Sequence, residues 1–109
     1  MDLNNIINLL KAIDKRHQMF FSEKLISHLM RFLDGFYFCK NLNKTYNESD
    51  ENFWNRFNKY VFSRYNQINE KLSLEQFLLS EFKDERLAYE KFFELFNEFN
   101  GKIDAPSNE

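Results

Sequence analysis

Residues 87–101, LAYEKFFELFNEFNG, place four phenylalanines and three glutamates in one run of fifteen. At about 100° per residue, Ala88, Tyr89, Phe92, Phe93, Leu95, Phe96 and Phe99 gather within about 160° of a helix. Glu90, Glu94, Glu98, Arg86 and Asn97 fall on the other side. A face that wide and that aromatic needs several partners to cover it. The polar side is mostly acidic, whereas helices that lie on membranes carry Lys and Arg there. The stretch therefore reads as a helix packed on a bundle.

The rest of the chain supplies the partners. Leu3, Ile6, Ile7, Leu10 and Ile13 form one stripe, broken at Lys15-Arg16-His17-Gln18. A second helix is expected after Ser22 as N-cap, with Leu25, Leu29, Phe32, Leu33 and Phe36 on one face and Ile26, Met30 and Tyr37 widening it. That width marks it as the expected central helix. Gly35 lies in its middle at a cost of about 1 kcal/mol against Ala, which an aromatic packed on the bare backbone would offset. Residues 41–50 read as the longest loop. From about Glu51 a third helix carries Phe53, Trp54, Phe57, Tyr60, Val61 and Tyr65. Ser73 and Gln76 have capping-box spacing and open a fourth helix with Leu74, Phe77, Leu78 and Phe82. Asp84 is placed to cap the last helix and Gly101 to stop it.

The expected fold is thus all-α: one bundle of about five helices over residues 1–100, with a flexible tail at 101–109. Only two Gly and one Pro occur, too few turn formers for a hairpin-rich fold. A chain of 109 residues suits a single domain with its own core.

Composition also narrows function. Fifteen basic against seventeen acidic residues supply no field for phosphates, which argues against direct nucleic-acid binding. A single cysteine cannot form an intrachain disulfide and suits a reducing cytoplasm. No apolar run nears the roughly 20 residues of a membrane span, and the amphipathic start with Asp2 is unlike the basic start of a signal peptide.

No catalytic or cofactor motif is present: no glycine-rich phosphate loop, no H-E-x-x-H, no cysteine pair for zinc. His17 and His28 are too few for a metal cluster. None of the arginines has the downstream histidine that small helical RNases of the Arg–His type use. Cys39 reads as a small core filler. Catalytic residues, cofactors and metals are all expected to be none.

What remains is surface. Glu48, Asp50 and Glu51 stand at a helix start, where carboxylates favour the dipole. Glu90, Glu94 and Glu98 form an i, i+4, i+8 ladder whose like charges repel mildly, with Lys91 and Lys102 near enough to relieve it. Both groups are candidate partner-binding residues. Phe38 and Phe62 fall off their helices' apolar faces, so each is either an exposed anchor or enclosed by a broader bundle.

Three stretches taken together, KAIDKRHQMFF (11–21), LMRFLDGFYF (29–38) and LAYEKFFELFNEF (87–99), resemble small all-helical bacterial immunity proteins of contact-dependent and polymorphic toxin systems. Arg16, Met19 and Phe20 match a first motif of that group. Phe32, Leu33, Gly35 and Phe36 match a second, Trp54 lies mid-chain as expected, and Phe92, Phe93, Glu94, Leu95, Glu98 and Phe99 match the last. His17 and Gln18 stand where the group carries Pro and Gly. The resemblance implies a cytoplasmic inhibitor, as a monomer or a 1:1 complex, that occludes the active site of a cognate toxin domain, with a basic nuclease as the expected target. A helical adaptor without a toxin partner is the alternative.

Overall fold

A computed structural model describes residues 5–42, 48–65 and 72–104; the side chains of 48, 49, 51 and 102–104 lie outside the described residues. Five helices follow in order: α1 (Ile6–Lys15), α2 (Ile26–Leu42), α3 (Glu48–Arg64), α4 (Leu74–Phe82) and α5 (Glu85–Asp104), with a 3-10 turn over His17–Met19 between the first two. The described residues form no strand, and the architecture is the all-α bundle of five helices that the periodicity implied.

Helix α1 starts where Asn5 accepts hydrogen bonds from the amides of Ile7 and Asn8, at 2.9 and 3.1 Å, which satisfies two of its orphan donors. Ile6, Leu9, Leu10 and Ile13 line its buried side. Leu3 lies outside the described residues. At 17–18 the chain makes its tight turn without Pro or Gly, through Phe20 and Phe21 amides donated to the His17 carbonyl at 2.9 and 2.8 Å.

Four expectations about α2 change. Ser22 is not its cap, because the helix begins four residues later. Instead the Ser27 amide donates to Oε1 of Glu85, 3.0 Å away and 58 residues on in the chain. A carboxylate at that end also favours the helix dipole. Nor is α2 the central helix. It buries Ile26, Leu29, Met30 and Leu33 along one side and leaves Arg31, Asp34, Gly35, Phe38, Cys39 and Leu42 exposed. Finally, apart from its chain neighbours and its own helix backbone, none of the described residues comes within 4 Å of the position a Cβ would take at Gly35, so no aromatic from another element covers it. Cys39 is likewise exposed rather than core.

The central element is α5, which packs on α2, α3 and α4. Ala88, Tyr89, Phe92, Phe93, Leu95, Phe96 and Phe99 are all buried. Phe57 of α3 meets Phe92 edge-on at 5.4 Å and Phe99 at 5.6 Å, while Phe53 stacks on Phe57 at 5.7 Å. These separations lie in the favoured range for ring pairs, each worth about 0.5–1.5 kcal/mol beyond area burial. Phe62 is enclosed by Phe77, with centroids 5.1 Å apart.

Helix α4 opens on the expected capping box, with Ser73 and Gln76 bonded reciprocally at 3.0 and 3.1 Å. It closes on Lys83 in the left-handed region, φ 57°. Asp84 caps α5 through the Leu87 amide at 2.8 Å. The expected stop at Gly101 does not occur. No glycine has positive φ, and the helix runs on to Asp104, so residues 101–104 belong to α5 and not to a tail. Glycine permits the left-handed cap without compelling it. Residues 105–109 lie outside the described residues.

Candidate functional site

Of the six acidic residues expected to face a partner, Asp50 is inside the protein. Its side chain is wholly buried, ion-paired with Lys40, and its other oxygen accepts the Ile6 amide at 3.2 Å. The ammonium of Lys40 also stands 5.2 Å from the centre of the Phe36 ring. One carboxylate therefore joins the start of α1, the end of α2 and the start of α3. Buried charge is tolerated only when paired and hydrogen-bonded, and the job of this group is to hold helices together. Nothing of its charge reaches the surface. The side chains of Glu48 and Glu51 lie outside the described residues.

The α5 ladder is on the surface, and its three rungs differ. Glu98 accepts from the Tyr60 hydroxyl and pairs with Arg64 Nε at 3.1 Å, so it ties α5 to α3. Burial, and then the hydrogen bond to Glu98, push the Tyr60 phenol up to about 12, while the carboxylate raises the pKa of Arg64. Glu94 pairs with Lys91 at 3.4 Å, which relieves the repulsion of the ladder as the spacing suggested. Lys102 lies outside the described side chains. Glu90 is exposed and forms no ion pair among the described residues.

Tertiary packing adds a group that sequence spacing could not. Asp14, at the carboxyl end of α1, accepts a hydrogen bond from Asn97 Nδ2 at 3.0 Å, 83 residues away. Asn97 sits on the same outward side of α5 as Glu90 and Glu94, so Asp14 extends the acidic strip onto α1. Tyr89, which feels the Asp14 charge, has a hydroxyl buried without a hydrogen-bond partner among the described residues. Desolvation, and to a lesser degree the Asp14 charge, push this phenol up to about 12.

A second surface lies on α2. Phe38 is 63 % and Leu42 66 % exposed, one turn apart on the helix. With Gly35 and Cys39 they make an uncharged outward stripe. Of the two off-face phenylalanines Phe38 is the exposed one. Leu42 went unnoticed in the sequence because it sits at the edge of the polar 41–50 stretch. Met19, on the 3-10 turn, is 70 % exposed.

Among the described residues no group of three or more His, Cys, Asp or Glu side chains is arranged to hold a metal ion, and no helix is long and apolar enough to cross a membrane. No protein-family model, curated protein or solved structure matches the chain.

Proposed function

We propose that this chain is an immunity protein that binds a cognate bacterial toxin domain in the cytoplasm and neutralises it by covering its active site. The observation that carries the reading is the outward side of α5, where Glu90, Glu94 and Asp14 form an acidic strip on a helix whose other side is locked into the core. A rigid acidic strip suits a basic partner, because complementary charge raises the association rate and selects the orientation of docking. A nuclease that must hold phosphates would present such a basic surface. The resemblance of the three helical stretches to immunity proteins supports the same reading, and the five-helix architecture accords with it.

Glu98 serves the α3–α5 junction and would confound a binding test. The clean variant is Glu90→Gln/Glu94→Gln/Asp14→Asn. Co-expression of this protein with the toxin domain encoded beside it should restore growth, and the two chains should co-purify. The triple variant should associate more slowly and with a flatter salt dependence. Growth that stays arrested in the presence of the folded wild-type chain would refute inhibition and favour a helical adaptor. Unchanged association kinetics in the triple variant would remove the acidic strip from the interface.

A further inference from the structure

Both glycines of the chain follow a residue whose side chain reaches the glycine's own nitrogen: Asp34–Gly35 and Asn100–Gly101. In such a pair the side-chain carbonyl carbon, Cγ, and the next backbone nitrogen close a five-membered imide when they join. Glycine in second place leaves that nitrogen unhindered, because it has no Cβ. The structure separates the two pairs. Gly35 stands well inside α2, which runs on to Leu42, and the Asp34 carboxylate is held by Arg31 at 3.1 Å. An ionised carboxylate is a poor electrophile. Gly101 lies in the last turn of α5, which ends at Asp104, and the Asn100 carboxamide is neutral, with ammonia as its leaving group. Asn100 is 7 % exposed, yet among the described residues no hydrogen bond ties down its amide, and neither amide atom is sealed from water.

We infer that Asn100–Gly101 is a self-modification site, where the last turn of α5 gates deamidation and the product releases that turn. The Gly101 nitrogen attacks Cγ of Asn100. The N–Cγ bond forms, the Cγ–Nδ2 bond breaks, and Nδ2 departs as ammonia with the proton of the Gly101 amide. Water then opens the imide at either of its two C–N bonds. Opening at the side-chain carbonyl leaves an aspartate. Opening at the main-chain carbonyl leaves an isoaspartate, whose backbone runs through the former side chain and is one methylene longer.

While α5 is closed, the reaction waits. The helix turns the Gly101 amide toward the Asn97 carbonyl four residues back and away from Cγ, so the reacting atoms meet only after that hydrogen bond opens. Helix ends open far more readily than helix interiors, which favours Gly101 over Gly35 again. The product acts in the opposite direction. A carboxylate near the carboxyl end of a helix opposes its dipole, and at a residue this buried it also loses hydration. An isoaspartate breaks the i to i−4 ladder outright. Phe99, the residue before, rests on Phe53, Phe57 and Tyr60 of α3 at 5.8, 5.6 and 5.2 Å. Loosening this turn therefore loosens the contact between α3 and α5, and the change is one-way. It involves no residue of the acidic strip and does not rest on the proposed function.

The test is incubation of the full chain in mildly alkaline buffer, with and without denaturing urea, followed by ion-exchange separation and peptide mapping. In native buffer, species with one added negative charge should accumulate, with the amide-to-acid change at Asn100 and isoaspartate recognised by isoaspartyl methyltransferase. The native reaction should run several-fold more slowly than in urea and faster than isomerisation at Asp34. Gly101→Ala is sterically allowed, because apart from its chain neighbours and its own helix backbone no described residue comes within 4 Å of a Cβ there. It should slow the native reaction about fivefold more than it slows the reaction in urea, through its better helix propensity. The separated isoaspartyl form should exchange amide hydrogens faster than wild type in the last turn of α5. An Asn100 that stays intact in native buffer while the chain in urea reacts overturns the site. A native rate equal to the rate in urea, or a Gly101→Ala effect equal in both, overturns the gate. Unchanged hydrogen exchange in the modified form overturns the release.

Discussion

Replacing Lys40 by methionine should cost this protein more than any surface change. The lysine side chain is 5 % exposed and its partner Asp50 wholly buried. Methionine keeps much of the volume and removes the charge, so Asp50 is left in the core without its counter-ion. Breaking a buried pair in this way costs about 3–5 kcal/mol, a third or more of the stability of a domain near the middle of the usual 5–15 kcal/mol range. The melting temperature should fall by at least about 12 °C. Replacing both partners, as Lys40→Met/Asp50→Leu, should recover most of the loss, because an apolar pair needs no counter-ion. A deficit of about 1 kcal/mol should remain from the Ile6 amide, which loses its acceptor. Urea unfolding followed by fluorescence of Trp54, the single tryptophan, measures all three. A single variant within 1 kcal/mol of wild type, or a double variant no more stable than the single, would refute a desolvated ion pair at this junction. The same reasoning bears on function. Asp50→Asn should impair partner binding only in proportion to the protein it unfolds.

Two further outcomes follow from polar groups at the helix junctions. Tyr89→Phe should stabilise the fold by about 1 kcal/mol in urea titrations, since it deletes a buried hydroxyl that no partner among the described residues satisfies; a destabilised variant would mean the hydroxyl has an acceptor. Glu85→Ala should cost about 1 kcal/mol, the typical worth of a helix cap. Hydrogen bonding to Ser27 holds the Glu85 carboxyl below its usual value of 4.5. A depressed carboxylate contributes stability that is complete above the unfolded pKa and fades as pH falls through the folded one. Part of the acid sensitivity below about pH 4.5 should therefore vanish in Glu85→Ala, as read by stability against pH. For the phenols the sign is opposite. Tyr60 and Tyr89 are both raised to about 12, so they leave stability unchanged below pH 10 and lower it between about pH 10 and 12, where the unfolded phenols ionise first.

The helices, and which side of each is apolar, are legible from residue order alone, because 3.6-residue periodicity is a local property of the chain. The aromatic run from Tyr89 to Phe99 announced a face too wide for anything but enclosure, and Ser73, Gln76 and Asp84 announced their caps through spacing alone. Side-chain chemistry at a distance was not legible in this way. Asp50 reads as a good helix-start carboxylate, and only packing converts it into the buried partner of Lys40. Glu85 caps a helix 58 residues earlier, a pairing with no local signature, whereas Ser22 looks like a cap by spacing alone. Asp14 joins the acidic strip only because α1 ends against Asn97. The placement of α2 turned on competition. Two wide apolar faces sought the centre, and the one with more aromatic surface took it. The loser kept Gly35, Phe38 and Leu42 in solvent, since burial is settled by what the whole chain can cover and not by what one helix offers.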